Sequence, residues 1–201
     1  MFRRLLGALF FIIGIVSITD SFNLKPLATK QAAAEQGTPV STALFNFNAS
    51  TFIKKYNDSA QRLKLQKTLV GHLSKKIKIQ KGLQNVYSHM FSKYLGIVIT
   101  TDKTSQKVVD LTLIGQARDI KTYDHLKNAY EIMIKACAPQ LTNAEREQII
   151  YNLGLSDGSS LVRMLDIGAF KRRRTYKGVL YSLDFSDSIG FLCGIAPSSS
   201  L

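Results

Sequence analysis

After Arg3 and Arg4 the chain runs through fourteen uncharged, mostly apolar positions, Leu5–Ile18, and stops at the polar Thr19, Asp20 and Ser21. Positive, then apolar, then polar is the layout of an export signal or a short membrane anchor. As a helix the run would cover about 21 Å, short of a hydrocarbon core of about 30 Å. The length favours a cleaved signal peptide. Only Ser17, Thr19 and Ser21 approximate a cleavage site near its end, and Ala32–Ala34 lies too far downstream, so an uncleaved anchor stays open beside it. A buried core helix is the bland alternative, and the terminal arginine pair argues against it. Arg3 and Arg4 hold the N-terminus in the cytoplasm while Lys25 and Lys30 lie further from the run, which puts the body on the far side.

Residues 22–43 hold Pro26 and Pro39 among Ala, Thr, Lys and Gln and read as a linker, with a brief helix at Ala28–Gln36. From Asn48 to Leu65, Phe52, Tyr56, Ala60 and Leu63 recur at helical spacing, with Asn48 or Ser50 as cap. At Lys75 the period changes to two. Ile77 and Ile79 alternate with Lys76, Lys78 and Gln80, an amphipathic strand ending at Gly82. Tyr94–Thr100 and Val108–Gly115 flank the polar stretch Thr101–Lys107 as a hairpin.

Helical spacing returns at Thr122–Ala138, with Leu126, Ala129, Tyr130, Met133 and Ile134 on one stripe and Pro139 as its stop. Thr142 and Glu145 form a capping box for the next helix, and Gly154 stands where a C-terminal cap belongs. The last third reads as strands: Leu161–Ile167, then a hairpin of Thr175–Asp184 and Ser188–Ile195 turning at Phe185–Asp187, weakened by Gly190 and Gly194. The order implies an α+β fold, an antiparallel sheet of two hairpins with helices packed on one face. The expected organisation is a leader at 1–21, a linker at 22–43, one domain at 44–196 and a loose tail at 197–201.

Charge changes this picture most. The chain carries a net charge of +13 over 201 residues. Between Asp58 and Asp102 there is no acidic residue, while Lys75, Lys76, Lys78 and Lys81 crowd one strand; Lys171, Arg172, Arg173 and Arg174 form a second cluster. Such fields draw anionic partners, although a solvated face is the commoner use of a charge run. Two cysteines, Cys137 and Cys193, suggest one disulfide in an exported body. It would close a loop of about 57 residues and be worth roughly 4 kcal/mol; two buried free thiols are the alternative.

Candidate chemistry adds little. His72, His89 and His125 fall on different elements without the spacing of a metal site, and neither a phosphate loop nor a dinucleotide fingerprint nor a GxSxG elbow occurs. Asn48-Ala49-Ser50 and Asn57-Asp58-Ser59 match the glycosylation sequon, a pattern common by chance. Tyr87, Phe91 and Tyr94 near the first basic stretch, and Phe170 and Tyr176 around the second, would suit stacked bases, but an exported body seldom meets nucleic acid. No cofactor, metal or catalytic residue is expected. The sequence therefore points to a periplasmic or secreted, non-enzymatic binding domain, cleaved or tethered to the inner membrane. Its expected partner is an anionic lipid headgroup, an envelope polymer or another protein, met through Lys75, Lys76, Lys78, Lys81, Arg172, Arg173 and Arg174. A tethered subunit of an envelope-spanning assembly and a secreted enzyme without local motifs are the alternatives.

Overall fold

The structure, a computed structural model, describes residues 44–63, 70, 74–77 (backbone), 84–117 and 119–198. All of them belong to the compact unit Ser41–Leu201. The expected leader, linker and most of the tail lie outside the described residues, as do Lys78 and Lys81. Among the described residues no helix is long and apolar enough to cross a membrane.

The class is α+β. Helix α1 (Ala49–Arg62) precedes four strands, β1 (Ser74–Ile77), β2 (Gln84–Ser92), β3 (Leu95–Asp102) and β4 (Val108–Gly115). Three helices follow, α2 (Ile120–Cys137), α3 (Asn143–Leu153) and α4 (Gly158–Ile167), then β5 (Ala169–Tyr176), β6 (Val179–Ser186) and β7 (Gly190–Pro197). The strands form one antiparallel sheet in the order β1-β2-β3-β4-β7-β6-β5. Two meanders thus meet where β4 pairs with β7, and β1 and β5 are the edges.

Register sorts the side chains. His89, Ile97, Leu113, Cys193, Leu183 and Arg172 stand in one row, with Tyr87, Ile99, Leu111, Ile195, Tyr181 and Arg174 in the next on the same face. The apolar middle of both rows packs into one core with the helices. The stripe Leu126, Ala129, Tyr130, Met133 and Ile134 of α2 is wholly buried there, and the Tyr130 hydroxyl donates to the Gly194 carbonyl at 3.0 Å. Helix α1, capped by Asn48 through the Thr51 amide at 2.9 Å, adds Phe52 and Tyr56, whose ring stacks on Phe91 with centroids 5.9 Å apart.

Several expectations change. The hairpin of Tyr94–Thr100 and Val108–Gly115 is β3–β4, with the longer loop between. The expected single strand Thr175–Asp184 is instead two, broken at Lys177-Gly178, where both residues have positive φ (48° and 75°) and close a two-residue turn between Tyr176 and Val179. Turns of this kind are usually announced by Asn-Gly or Asp-Gly, and a lysine in the first place conceals this one. The next turn falls at Asp187–Ile189 rather than Phe185–Asp187. The stretch Leu161–Ile167, read as a strand, is most of α4: Asp157 caps it through the Ser160 amide at 3.1 Å, and Leu161 and Met164, three apart, are its buried residues. Strand β2 is not legible in the sequence, because Ser88 and His89 blur its alternation.

The Cys137–Cys193 disulfide is not formed; both are free thiols. Cys193 lies beside Gly194, under Tyr130, whereas Cys137 is seven residues further along α2, about 10 Å on. A disulfide needs Cα atoms about 4.4–6.8 Å apart. Burial pushes both thiols well above the ordinary range. The Asn57 sequon amide is also engaged: its nitrogen donates to the Val70 carbonyl at 2.9 Å, and its oxygen accepts from the Val70 amide at 2.8 Å.

Candidate anion-binding cleft

The chain turns sharply twice between α3 and β5, and the space left between the elements is the candidate site. Helix α3 begins at the reciprocal box expected from the sequence, with the Thr142 amide donating to the Glu145 carboxylate at 2.8 Å and the Glu145 amide to the Thr142 hydroxyl at 3.2 Å. It ends at Gly154, in the left-handed region at φ 89°. A Cβ there would stand 3.1 Å from the Phe170 ring, so glycine serves both the backbone and the packing. Asp157 then starts α4, Gly168 ends it, and β5 runs back along both helices.

The resulting cleft holds about 270 Å³. Met164 and Phe170 are apolar parts of its lining, Ser156 and Ser160 line it with the Ser160 hydroxyl donating to the Asp157 carboxylate at 3.2 Å, and Tyr151 and Ile167, both largely exposed, also line it. Three arginines line it, Arg163 of α4 and Arg172 and Arg174 of β5. Strand alternation explains the last two: positions two apart share a face, here the face of the helices.

Arg172 is held from two sides. Its Nη1 donates to the Asn152 carbonyl at 3.2 Å, near the electronegative C-terminus of α3, and its guanidinium lies 5.1 Å from the Phe170 ring centroid. Behind it, the Lys127 ammonium donates to the Ser156 carbonyl at 2.8 Å, and the Ser156 and Ser160 hydroxyls are 2.8 Å apart. Among the described residues no carboxylate lies within ion-pair distance of Arg163, Arg172 or Arg174, whereas Lys171 pairs with Asp184 at 3.6 Å and Lys177 with Glu145 at 2.7 Å. Three arginines around a concave space, with no ion-paired carboxylate among the described residues, can hold a phosphate or carboxylate through charge-assisted, bidentate hydrogen bonds.

The sequence-derived site is only partly assembled. Arg172 and Arg174 enter the cleft. Arg173 does not: it pairs in register with Ser182 on the opposite face, and Lys171 with Asp184 beside it. Lys75 and Lys76 lie in β1, at the other edge of the seven-stranded order. Six strand spacings separate the two edges, roughly 29 Å, so these clusters are separate features. Arg163 was missed because it stood inside an expected strand. The signal that would have found it is Asp157 followed three residues later by Ser160, an N-cap pattern that turns 158–167 into a helix. Among the described residues no group of three or more His, Cys, Asp or Glu side chains is placed to hold a metal ion. No protein-family model, curated protein or solved structure matches the chain.

Proposed function

We propose that this protein is an exported, non-enzymatic binding domain that captures an anionic group, borne on an envelope component or a partner protein, in the cleft between α3, α4 and β5. The observation that carries the reading is that Arg163, Arg172 and Arg174 line one cleft without a carboxylate in ion-pair contact among the described residues. A merely solvated basic face would spread its charges to keep them apart. Here one guanidinium is braced on a helix terminus and an aromatic ring, which lowers the entropy lost when an anion binds. The export half of the reading rests on the sequence alone, on Arg3, Arg4 and the apolar run after them.

Inorganic pyrophosphate is a suitable first probe, followed by calorimetry across a salt series. The expected result is salt-dependent binding that the triple variant Arg163→Gln/Arg172→Gln/Arg174→Gln abolishes. Binding of the same strength and salt slope in that variant overturns the cleft. Protease shaving of spheroplasts carrying a C-terminally tagged chain tests the compartment, and a full-length band that survives protease places the body in the cytoplasm.

A further inference from the structure

We infer that the outer edge of β5, the last strand of the sheet among the described residues, accepts an extended acidic peptide as an added strand, with the peptide's carboxylates seated on the cleft arginines; this rests on the cleft reading above. Strand β5 ends the sheet order, and Ala169, Lys171, Arg172, Arg174, Thr175 and Tyr176 are exposed along it. The two-residue turn at Lys177-Gly178 sets the hydrogen-bond phase of the hairpin. Its closing pair, Tyr176 and Val179, exchanges backbone bonds, and so do alternate pairs back along the strand, Arg174 with Tyr181 and Arg172 with Leu183. Alternate residues between them, Lys171 and Thr175 among them, therefore turn their N–H and C=O groups outward from the sheet. Pro197 agrees with this phase, since it stands opposite Val179, where β6 faces β5 and no bond from β7 is required.

An added strand would be bonded through those outward groups, and every second side chain would fall on the helix-side face next to Arg172 and Arg174. Acidic residues two apart match that spacing. On the other face the Lys171 side chain, 60% exposed, is already paired with Asp184 at 3.6 Å, so the arginines of the helix-side face carry the recognition. Basic residues on an edge also discourage sheet-to-sheet aggregation. That use alone would give no peptide binding.

The test uses the full chain and a fluorescent peptide of alternating Glu and Thr, read by anisotropy, with pyrophosphate as the second probe. Thr175→Pro removes an outward donor at a position where an edge strand tolerates proline, and a peptide N-methylated at alternate residues removes the matching donors from the other side. Each should weaken peptide binding about tenfold, the loss of one to two hydrogen bonds, and the protein variant should leave pyrophosphate binding unchanged. Arg172→Gln/Arg174→Gln should weaken both probes. Peptide binding indifferent to both Thr175→Pro and N-methylation overturns strand addition and leaves the cleft standing. Pyrophosphate binding with no peptide binding does the same, and failure of both probes removes both readings. Should Thr175→Pro not fold, the methylated peptide decides.

Discussion

The Lys177 ammonium donates to the Glu145 carboxylate at 2.7 Å, tying the first turn of α3 to the turn between β5 and β6. The same carboxylate oxygen accepts from the Tyr176 hydroxyl at 2.7 Å, while its partner oxygen caps the helix at Thr142. One side chain thus closes a capping box and positions the far end of the strand that carries Arg172 and Arg174. Local sequence predicted the first role. The second depends on a turn that was not legible.

These contacts pull the Glu145 carboxyl down to about 2, the Lys177 ammonium being the largest cause, followed by the Thr142 amide and the Tyr176 hydroxyl. A depressed acid contributes stability that is present above its unfolded value near 4.5 and is lost as pH falls towards 2. Glu145→Gln should therefore lower the melting temperature at neutral pH and flatten the acid limb between 4.5 and 2. Thermal melts across that range, with wild type alongside, check it. A parallel displacement at every pH would show that the charge of Glu145 does not matter.

Replacing the arginines one at a time separates the two faces of β5. Arg163→Gln, Arg172→Gln and Arg174→Gln should each weaken pyrophosphate binding about tenfold, the loss of one charge-assisted hydrogen bond of about 1.5 kcal/mol. Arg173→Gln, on the other face, should change it by less than about twofold, through long-range charge alone. Equal losses at all four would mean that net charge, not the cleft, holds the anion.

What the sequence made legible follows from how local the signals are. The stripe of α2 and the box at Thr142 and Glu145 depend on spacings within two turns, and each is found where expected. The cleft is assembled differently. Arg163 and Arg172 come together only because Gly154 and Gly168 reverse the chain twice, and the strand alternation that sends Arg173 away needs the position of the Lys177-Gly178 turn. The run Arg172–Arg174 looks like one patch in sequence and is divided by the period of two.

Tyr130 offers a direct measure of how the helix layer is fastened to the sheet. Its hydroxyl is buried against the Gly194 carbonyl, and Tyr130→Phe removes that bond while keeping the ring. A loss of about 1 kcal/mol is expected, since the carbonyl retains its place in the strand ladder. Urea denaturation of the two proteins measures it, and an unchanged midpoint would mean the hydroxyl contributes nothing net.

The cysteines predict a chemical result. Burial raises both thiols, so few thiolates exist at neutral pH and alkylating reagents have little to attack. Native protein should react slowly with iodoacetamide, unfolded protein should yield two thiols per chain, and a reductant should leave the melting temperature unchanged. A reductant-sensitive melting temperature would mean that a disulfide forms after all.

Asp110 makes an opposite use of pH. It lies on β4, on the face away from the helices, in register with Thr100, and its Oδ2 accepts from the Thr112 hydroxyl at 2.9 Å. That bond is too weak to offset burial, which pushes the carboxyl up to about 6. For a raised acid the cost is absent below the unfolded value of 3.8, grows between 3.8 and about 6, and is complete above that. Asp110→Asn keeps an acceptor for Thr112 and removes the charge. It should stabilise the protein at pH 8 by about 1–2 kcal/mol, less than the roughly 3 kcal/mol of the whole shift because the side chain retains some water. At pH 4 the gain should vanish. Urea midpoints at the two pH values test this, and an equal gain at both would show that Asp110 is not charged at a cost in the folded protein. A carboxylate kept in so unfavourable a place, beside Thr100 and Thr112 on the second face of the sheet, sets a ceiling on stability above pH 6 that the Glu145 contacts on the first face do not lift.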